Sequence, residues 1–306
     1  MKKIVIIPNI TRDPDYHYTE MAERILAEKG FETCRCETCL DPVSERAIFE
    51  NAHAILVLGG DGTILNASHA SAQFNVPILA VNLGRLGYIA QLEKGSLDRI
   101  GDILLSDFLV DERSMLSVTL LRNQTPIIED YDVLNDAVIG KHNGCGMIEF
   151  VLLANGTTVS HYRGDGIILA TATGSTAYSM SAGGSVIDPS LAIIEATPLA
   201  AHSLKARPII FSKRHNLEIL IKPSYSKAAL TLDGETTISL QTEDRILVKV
   251  SPNVTKMISH QNDFCRILFS KHSHFLILSF FKDRTSFDKE CGRNHFDARS
   301  FWLRSD

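Results

Sequence analysis

The stretch AILVLGGDGTIL, residues 54–65, decides the fold. Its first half, Ala54–Leu58, is apolar without alternation, the pattern of a short strand buried on both faces of a parallel sheet. The run stops at Gly59-Gly60-Asp61-Gly62-Thr63, and apolar residues return at helical spacing from Ile64 to Ala72. A buried strand, a glycine turn and a helix in that order make half of a βαβ unit. The flanks repeat the theme. Ile4–Pro8, Phe31–Cys36 and Val76–Val81 read as strands. Tyr16–Lys29 carries an apolar stripe at Met21, Ala22, Ile25 and Leu26, with Gly30 where a helix would be capped, and Ser44–Asn51 is helical again. Strands alternating with helices predict an α/β domain over residues 1–110, built on a doubly wound, mostly parallel sheet.

The texture then changes. Met115–Leu121, Asp132–Ile139, Met147–Leu153, Gly166–Ala170, Ile209–Phe211, Leu217–Ile221, Ala229–Leu232 and Ile246–Val250 are strand-like, with few helical stretches between them. They predict a β-rich second domain over residues 111–269, the change falling near Leu109–Arg113. Residues 270–306 are rich in His, Phe, Arg and Ser, hold the single tryptophan, Trp302, and show no period. They read as a C-terminal extension without a defined fold. A chain of 306 residues suits two domains.

Composition narrows the partners. The net charge of −5 argues against a dedicated nucleic-acid binder, which carries a basic face. The longest late apolar run, Phe275–Phe281, falls far short of the ~18 residues that span a bilayer. Met1-Lys2-Lys3 leads straight into a strand, with no secretory leader, so the six cysteines are expected reduced and the protein cytoplasmic. Cys34, Cys36 and Cys39 lack a fourth partner at zinc spacing, and the histidines show no ligand pattern, so no fixed protein metal site is expected.

The glycine turn carries the chemistry. Gly59, Gly60, Gly62 and Thr63 follow a buried strand and open a helix, so backbone N–H groups and the positive end of the helix dipole face outward, a cradle for phosphate. The spacing is neither that of a P-loop nor the G-x-G-x-x-G of dinucleotide folds. Asp61 stands inside this cradle, where a carboxylate is electrostatically costly unless it takes a proton from an attacking hydroxyl or holds Mg²⁺ against phosphates. The plain alternative is a turn aspartate bonded to its own backbone. A second glycine loop, Asn82–Tyr88, ends the next strand at the same sheet edge, where open α/β sheets bind ligands.

A second constellation starts at Arg163-Gly164-Asp165-Gly166 and continues after a strand as Thr171–Gly184, dense in hydroxyls and small residues. Such a run suits a polar ligand such as adenine and ribose, with Tyr178 able to lie flat on a base. The alternative is a loop capped by its own hydroxyls.

VLGGDGTIL at 57–65, Asn135-Asp136, RGDGIILATATGSTAYSMSAGG at 163–184 and HSLKARP at 202–208 together resemble the NAD kinase family, over roughly residues 1 to 270. The first motif is shared with diacylglycerol-type lipid kinases and phosphofructokinases; the TGSTAYS run is far more specific. The resemblance implies an N-terminal α/β and a C-terminal β domain, NAD and ATP (or polyphosphate) as substrates, and a divalent metal, Mg²⁺ or Mn²⁺, with the donor. It implies a homodimer or homotetramer in which neighbours complete the NAD site. By motif, Asp61 resembles the proton acceptor, and Gly62 touches the dinucleotide through its backbone. Asn135 and Asp136 resemble the pair that bonds NAD, and Arg163 and Asp165 flank the site. Thr176, Ala177, Tyr178, Ser179, Met180 and Ser181 resemble the segment around a base and ribose, and Ala200 falls at a contact position. Glu235 stands where the family commonly has Gln, and a carboxylate cannot donate as an amide does. A lipid kinase and a non-catalytic NAD sensor are the alternative readings.

Overall fold

Strand β1 (Lys3–Pro8) shows why the first half is doubly wound: it is buried on both faces in the computed structural model of the chain. Ile4 and Ile6 pack with Ala22, Leu26, Leu97, Ile100 and Leu104 on one side of the sheet. Val5 and Ile7 pack with Ile64, Ala67 and Ala70 on the other. Each isoleucine buried this way contributes roughly 1.5–3 kcal/mol, so the alternation of facing residues fixes a helix layer on each side. The structure describes residues 1–37, 46–84, 87–142, 146–203, 205–224 and 226–259. The expected extension 270–306, Cys39 and the run Phe275–Phe281 lie outside the described residues.

After β1 come α1 (His17–Glu28), β2 (Glu32–Arg35), α2 (Arg46–Phe49), β3 (Ala52–Gly59), α3 (Asp61–Phe74), β4 (Ile78–Asn82), the short β5 (Leu92–Glu93), a 3₁₀ segment and α4 (Ile100–Leu105). Gly30 follows α1 at φ 82°, the left-handed turn a helix C-terminus favours. The apolar stripe of α1 is rotated from its expected position. Thr19, Ala22 and Leu26 are buried, while Met21 is exposed. Buried Asp13 explains it: its carboxylate accepts from the Thr19 hydroxyl at 2.6 Å and from the Thr19 N–H at 2.9 Å, which turns the helix start inward.

The parallel strands run in the order β2-β1-β3-β4. Chain order reverses direction between β1 and β3, so the turns after those two strands splay apart and leave a crevice at their carboxyl ends.

The second half contains β6 (Leu109–Arg122), β7 (Thr125–Val133), β8 (Asp136–Lys141), β9 (Ile148–Ala154), β10 (Thr157–Gly164), β11 (Gly166–Ala170), a 3₁₀ turn at Gly174–Thr176, α5 (Tyr178–Ser181), β12 (Ile193–Leu199), β13 (Ile209–Ser212), β14 (Leu217–Lys222), β15 (Ala228–Leu232), β16 (Thr236–Leu240) and β17 (Arg245–Ser259). An antiparallel sheet has the order β13-β12-β11-β8-β15-β16. It packs face to face on β6, β9, β14 and β17 through residues such as Ile139, Ile167, Leu230, Phe150, Ile219 and Val248.

The two halves share a sheet. β17 pairs antiparallel with β6 and β14, and its far end meets β4 in parallel at Met257 and Ile78. Among the described residues one eleven-stranded sheet therefore runs from the parallel edge at β2 to the antiparallel edge at β10.

Candidate active site

Helix α3 begins at Asp61, so the carboxylate expected inside a loop belongs to the first helical turn. Gly60 is the extended residue before it, and no side chain caps the helix. The first N–H groups of a helix lack the usual intrahelical acceptor; here the Thr63 N–H turns back to the Gly60 carbonyl at 3.0 Å, and Asp61 and Gly62 stand at the wall of the crevice. None of Gly59, Gly60 and Gly62 has a positive φ. They are small for reasons of contact instead. A Cβ on Gly59 would overlap the Thr63 hydroxyl, one on Gly60 would come within 3.3 Å of the Arg12 guanidinium, and one on Gly62 would meet nothing within 4 Å. Thr63 is fixed in turn by Asn9, whose amide donates to its hydroxyl at 2.8 Å.

A cavity of about 490 Å³ opens at this crevice. Its wall includes Asn9 and Arg12 after β1, Gly60, Asp61, Gly62, Thr63 and Asn66 on α3, and Glu235 from the β15–β16 turn. Asp61 Oδ2 accepts the Tyr88 backbone N–H at 3.2 Å. Asp61 Oδ1 is buried with no hydrogen-bond partner among the described residues. A Cβ on Gly87 would overlap the Asp61 carboxylate, so the glycine of the second loop lets the backbone close on it. Asn9 and Arg12 were not singled out from the sequence. The signal was present, because they follow the first parallel strand at its carboxyl end, the edge where such sheets bind ligands.

Glu235 connects this cavity to the second half. It follows Asp233 and Gly234, both in left-handed conformation at φ 48° and 75°. The Asp233 carboxylate accepts three backbone N–H groups, from Leu134 at 2.8 Å, Asn135 at 2.7 Å and Asp136 at 3.1 Å. Burial pushes the Asp233 carboxyl up to about 6 against the pull of those donors. Burial, with the Asp233 charge beside it, pushes Asp136 up to about 7. Asn135 Oδ1 is buried without a partner among the described residues.

The hydroxyl-rich run is stacked on the same junction. Thr171 donates to the Leu134 carbonyl at 2.6 Å and caps the Gly174 N–H at 2.9 Å. A Cβ on Gly174 would overlap the Asn135 carbonyl. The run divides its hydroxyls by side. Ser175 bonds the Ala172 carbonyl, and Ser179 bonds buried Glu195 at 2.7 Å and Thr197 at 2.8 Å. Thr176, Ala177 and Met180 are half-buried, Ser181 is exposed, and Tyr178 is 50% exposed, its ring free to cover a flat ligand. Ser179 thus serves the protein interior.

Arg163, Asp165 and Ala200 lie elsewhere. In the β8–β11 ladder Ala170 pairs with Asp136, whereas Gly166 pairs with Gly140, so the two groups sit at opposite ends, roughly 14 Å apart along the strand. At that far end Asp165 pairs with Lys141 at 2.9 Å, Arg163 with Glu149 at 3.1 Å, and the Arg163 carbonyl accepts the His202 N–H. Cys34 and Cys36 are not joined in a disulfide, and among the described residues no cluster of three or more His, Cys, Asp or Glu is placed to hold a metal.

Profiles of the ATP-NAD kinase N-terminal domain and C-terminal domain match residues 19–106 and 134–260. The chain belongs to the NAD kinase family. An NAD kinase of Lachnoclostridium phytofermentans is 35% identical over 267 residues, covering 84% of this chain and 94% of that one. One of Natranaerobius thermophilus is 33% identical over 280 residues, covering 89% and 98%. The fold is also that of a crystallised NAD kinase from Archaeoglobus fulgidus in complex with ATP, at a TM-score of 0.73 and 23% identity over 88% of this chain and 98% of that one. A yeast NADH kinase complexed with NADH superposes at 0.70 with 24% identity, over 87% and 86%. The NAD kinase N-terminal profile includes the Gly59–Thr63 turn, and the C-terminal profile includes Asn135, the TGSTAYS run and Glu235.

Proposed function

We propose that this protein is an NAD kinase that transfers the γ-phosphoryl group of ATP, or the terminal group of polyphosphate, to the 2′-hydroxyl of the adenosine ribose of NAD, giving NADP. The observation that carries the reading is Asp61: a carboxylate at the start of a helix in a crevice of the sheet, one oxygen held by Tyr88 and the other buried without a partner among the described residues. A group so placed takes the proton of the attacking hydroxyl as the new P–O bond forms and the bond to the leaving phosphate breaks. The outward N–H groups at the start of α3 hold phosphate oxygens. A divalent cation, Mg²⁺ or Mn²⁺, brought in on the donor would be faced by Asp61 and would neutralise charge on the phosphate chain. Asn135, Asp136 and Tyr178 receive the dinucleotide, with Glu235 between them and Asp61. We assign residues 1–110 and 111–269 to the two functional lobes.

Arg163, Asp165 and Ala200 lie at the wrong end of β8 and β11 to join that group within one subunit. Their place supports a homo-oligomer, dimer or tetramer, in which they reach a neighbour's site. Among the described residues no helix is long and apolar enough to cross a membrane, in keeping with a cytoplasmic enzyme.

The test is a coupled assay. Purified protein with NAD, ATP and Mg²⁺ should generate NADP, read by an NADP-specific dehydrogenase. Asp61→Asn should lower kcat at least ~100-fold, the low end of general-base effects, while NAD binding by calorimetry stays within a few-fold. NAD binding without NADP formation by the wild-type chain would instead identify a sensor.

A further inference from the structure

Among the described residues that form the wall of the cavity, Arg12 alone is cationic, and the chemistry above leaves it without a task. Its backbone N–H is held by Asn9 Oδ1 at 3.1 Å, which fixes the turn after β1. Its guanidinium lies against both glycine turns: close to Gly60 in the first, and where a Cβ on Gly84 would overlap Nη1 in the second. Two strand-to-loop turns are thus bare of side chain at the place this group occupies. Among the described residues the Arg12 side chain makes no hydrogen bond and no ion pair, although Glu37, Asp61 and Glu235 share its cavity. An arginine needed only for solubility gains nothing from such a slot. The amide of Asn66, one turn along α3, faces the same space and likewise has no partner among the described residues.

We propose that Arg12 grips the phosphoanhydride chain of the phosphoryl donor, its planar fork meeting non-bridging oxygens beside the glycine turn that opens α3. The inference rests on the kinase reading and adds to it a residue that sets donor affinity. A guanidinium matches phosphate oxygens two at a time, which an ammonium cannot do. The donor is the better fit than the dinucleotide, because its chain carries about twice the charge of the NAD pyrophosphate and must lie against the glycine turn for Asp61 to face the acceptor hydroxyl.

Full-length Arg12→Ala and Arg12→Lys proteins, assayed beside wild type with ATP in one arm and inorganic polyphosphate in the other, test this. Arg12→Ala should raise KM for ATP at least tenfold, leave KM for NAD within twofold and leave Tm unchanged within about 2 °C. Arg12→Lys should recover only part of the loss. If polyphosphate serves wild type as donor, its KM should rise in parallel; if only ATP serves, the grip is on a nucleoside triphosphate. A KM for ATP within twofold of wild type, or an equal rise for NAD, overturns the assignment. Should wild type make no NADP, the kinase reading fails separately, and calorimetric titration with ATP then decides Arg12: weakened binding in Arg12→Ala upholds the phosphate grip, and unchanged binding sinks it.

Discussion

Gly59 and Gly62 stand in one turn and are glycine for different reasons. Gly59 faces the Thr63 side chain and Asn9, so Gly59→Ala overpacks the turn and costs about 1–3 kcal/mol, a fall of roughly 5 °C in Tm. Gly62 faces open space at the cavity, in the first turn of α3. Gly62→Ala should hold or slightly raise Tm, since alanine favours a helix by about 1 kcal/mol, yet lower kcat/KM more than tenfold because the methyl projects where substrate must lie. Melting and kinetics on the two variants separate the roles; loss of activity in Gly62→Ala only in proportion to lost stability would refute the assignment. A further consequence concerns Asp136, whose carboxyl is raised from its usual 3.8 to about 7 by burial and then by Asp233. The folded state prefers it protonated, so its stabilising contribution is complete below about pH 4 and is lost as pH rises through about 7. Tm should therefore fall between about pH 4 and 7, and Asp136→Asn should flatten that fall by several degrees. Equal slopes for the two proteins would remove Asp136 as its cause.

At the scale of elements, the strands that periodicity exposes are those with one plain environment. The parallel strands β1, β3 and β4 are unbroken apolar runs and were legible, and so was the glycine turn between β3 and α3. β10, β12 and β16 were not. β10, Thr157–Gly164, is mostly exposed and polar, and β16 alternates threonine and serine with isoleucine on an exposed edge. β12 hides behind Glu195, a buried acid whose carboxylate takes the Ser179 hydroxyl and the Ser185 N–H, so a charged residue sits where a core residue is expected. The same contact explains why the hydroxyl-rich run could not be divided from its composition: buried and more exposed hydroxyls lie side by side along one short segment. Gly174 is the hinge of this arrangement, resting on the Asn135 carbonyl. Gly174→Ala should push the Gly174–Ser181 segment off the end of β11, raising KM for NAD at least tenfold while KM for ATP moves little. Crystallography or chemical-shift mapping of the variant should show the shift at Tyr178; an unchanged KM for NAD would detach the segment from the dinucleotide.

For the whole molecule, the long-range pairing of β17 with β4 joins residues 78 and 257, a contact no local pattern announces. It makes the two halves of the chain one sheet and holds the Asp61 turn at a fixed place relative to the Asp233–Glu235 turn. The same rigidity keeps Arg163 and Asp165 apart from that site, since the β8–β11 ladder sets both groups at opposite ends. If a neighbour supplies them, each site in an oligomer combines Asp61 of one subunit with Asp165 of another. Asp61→Asn and Asp165→Ala proteins would each be nearly inactive. A mixed dimer of the two has one site with both defects and one with neither. Denatured together in equal amounts and refolded, they should form mixed dimers in about half of all pairings and regain about a quarter of wild-type activity. Refolding each variant alone should restore none. A mixture no more active than the two separate variants would place both residues in sites confined to one chain.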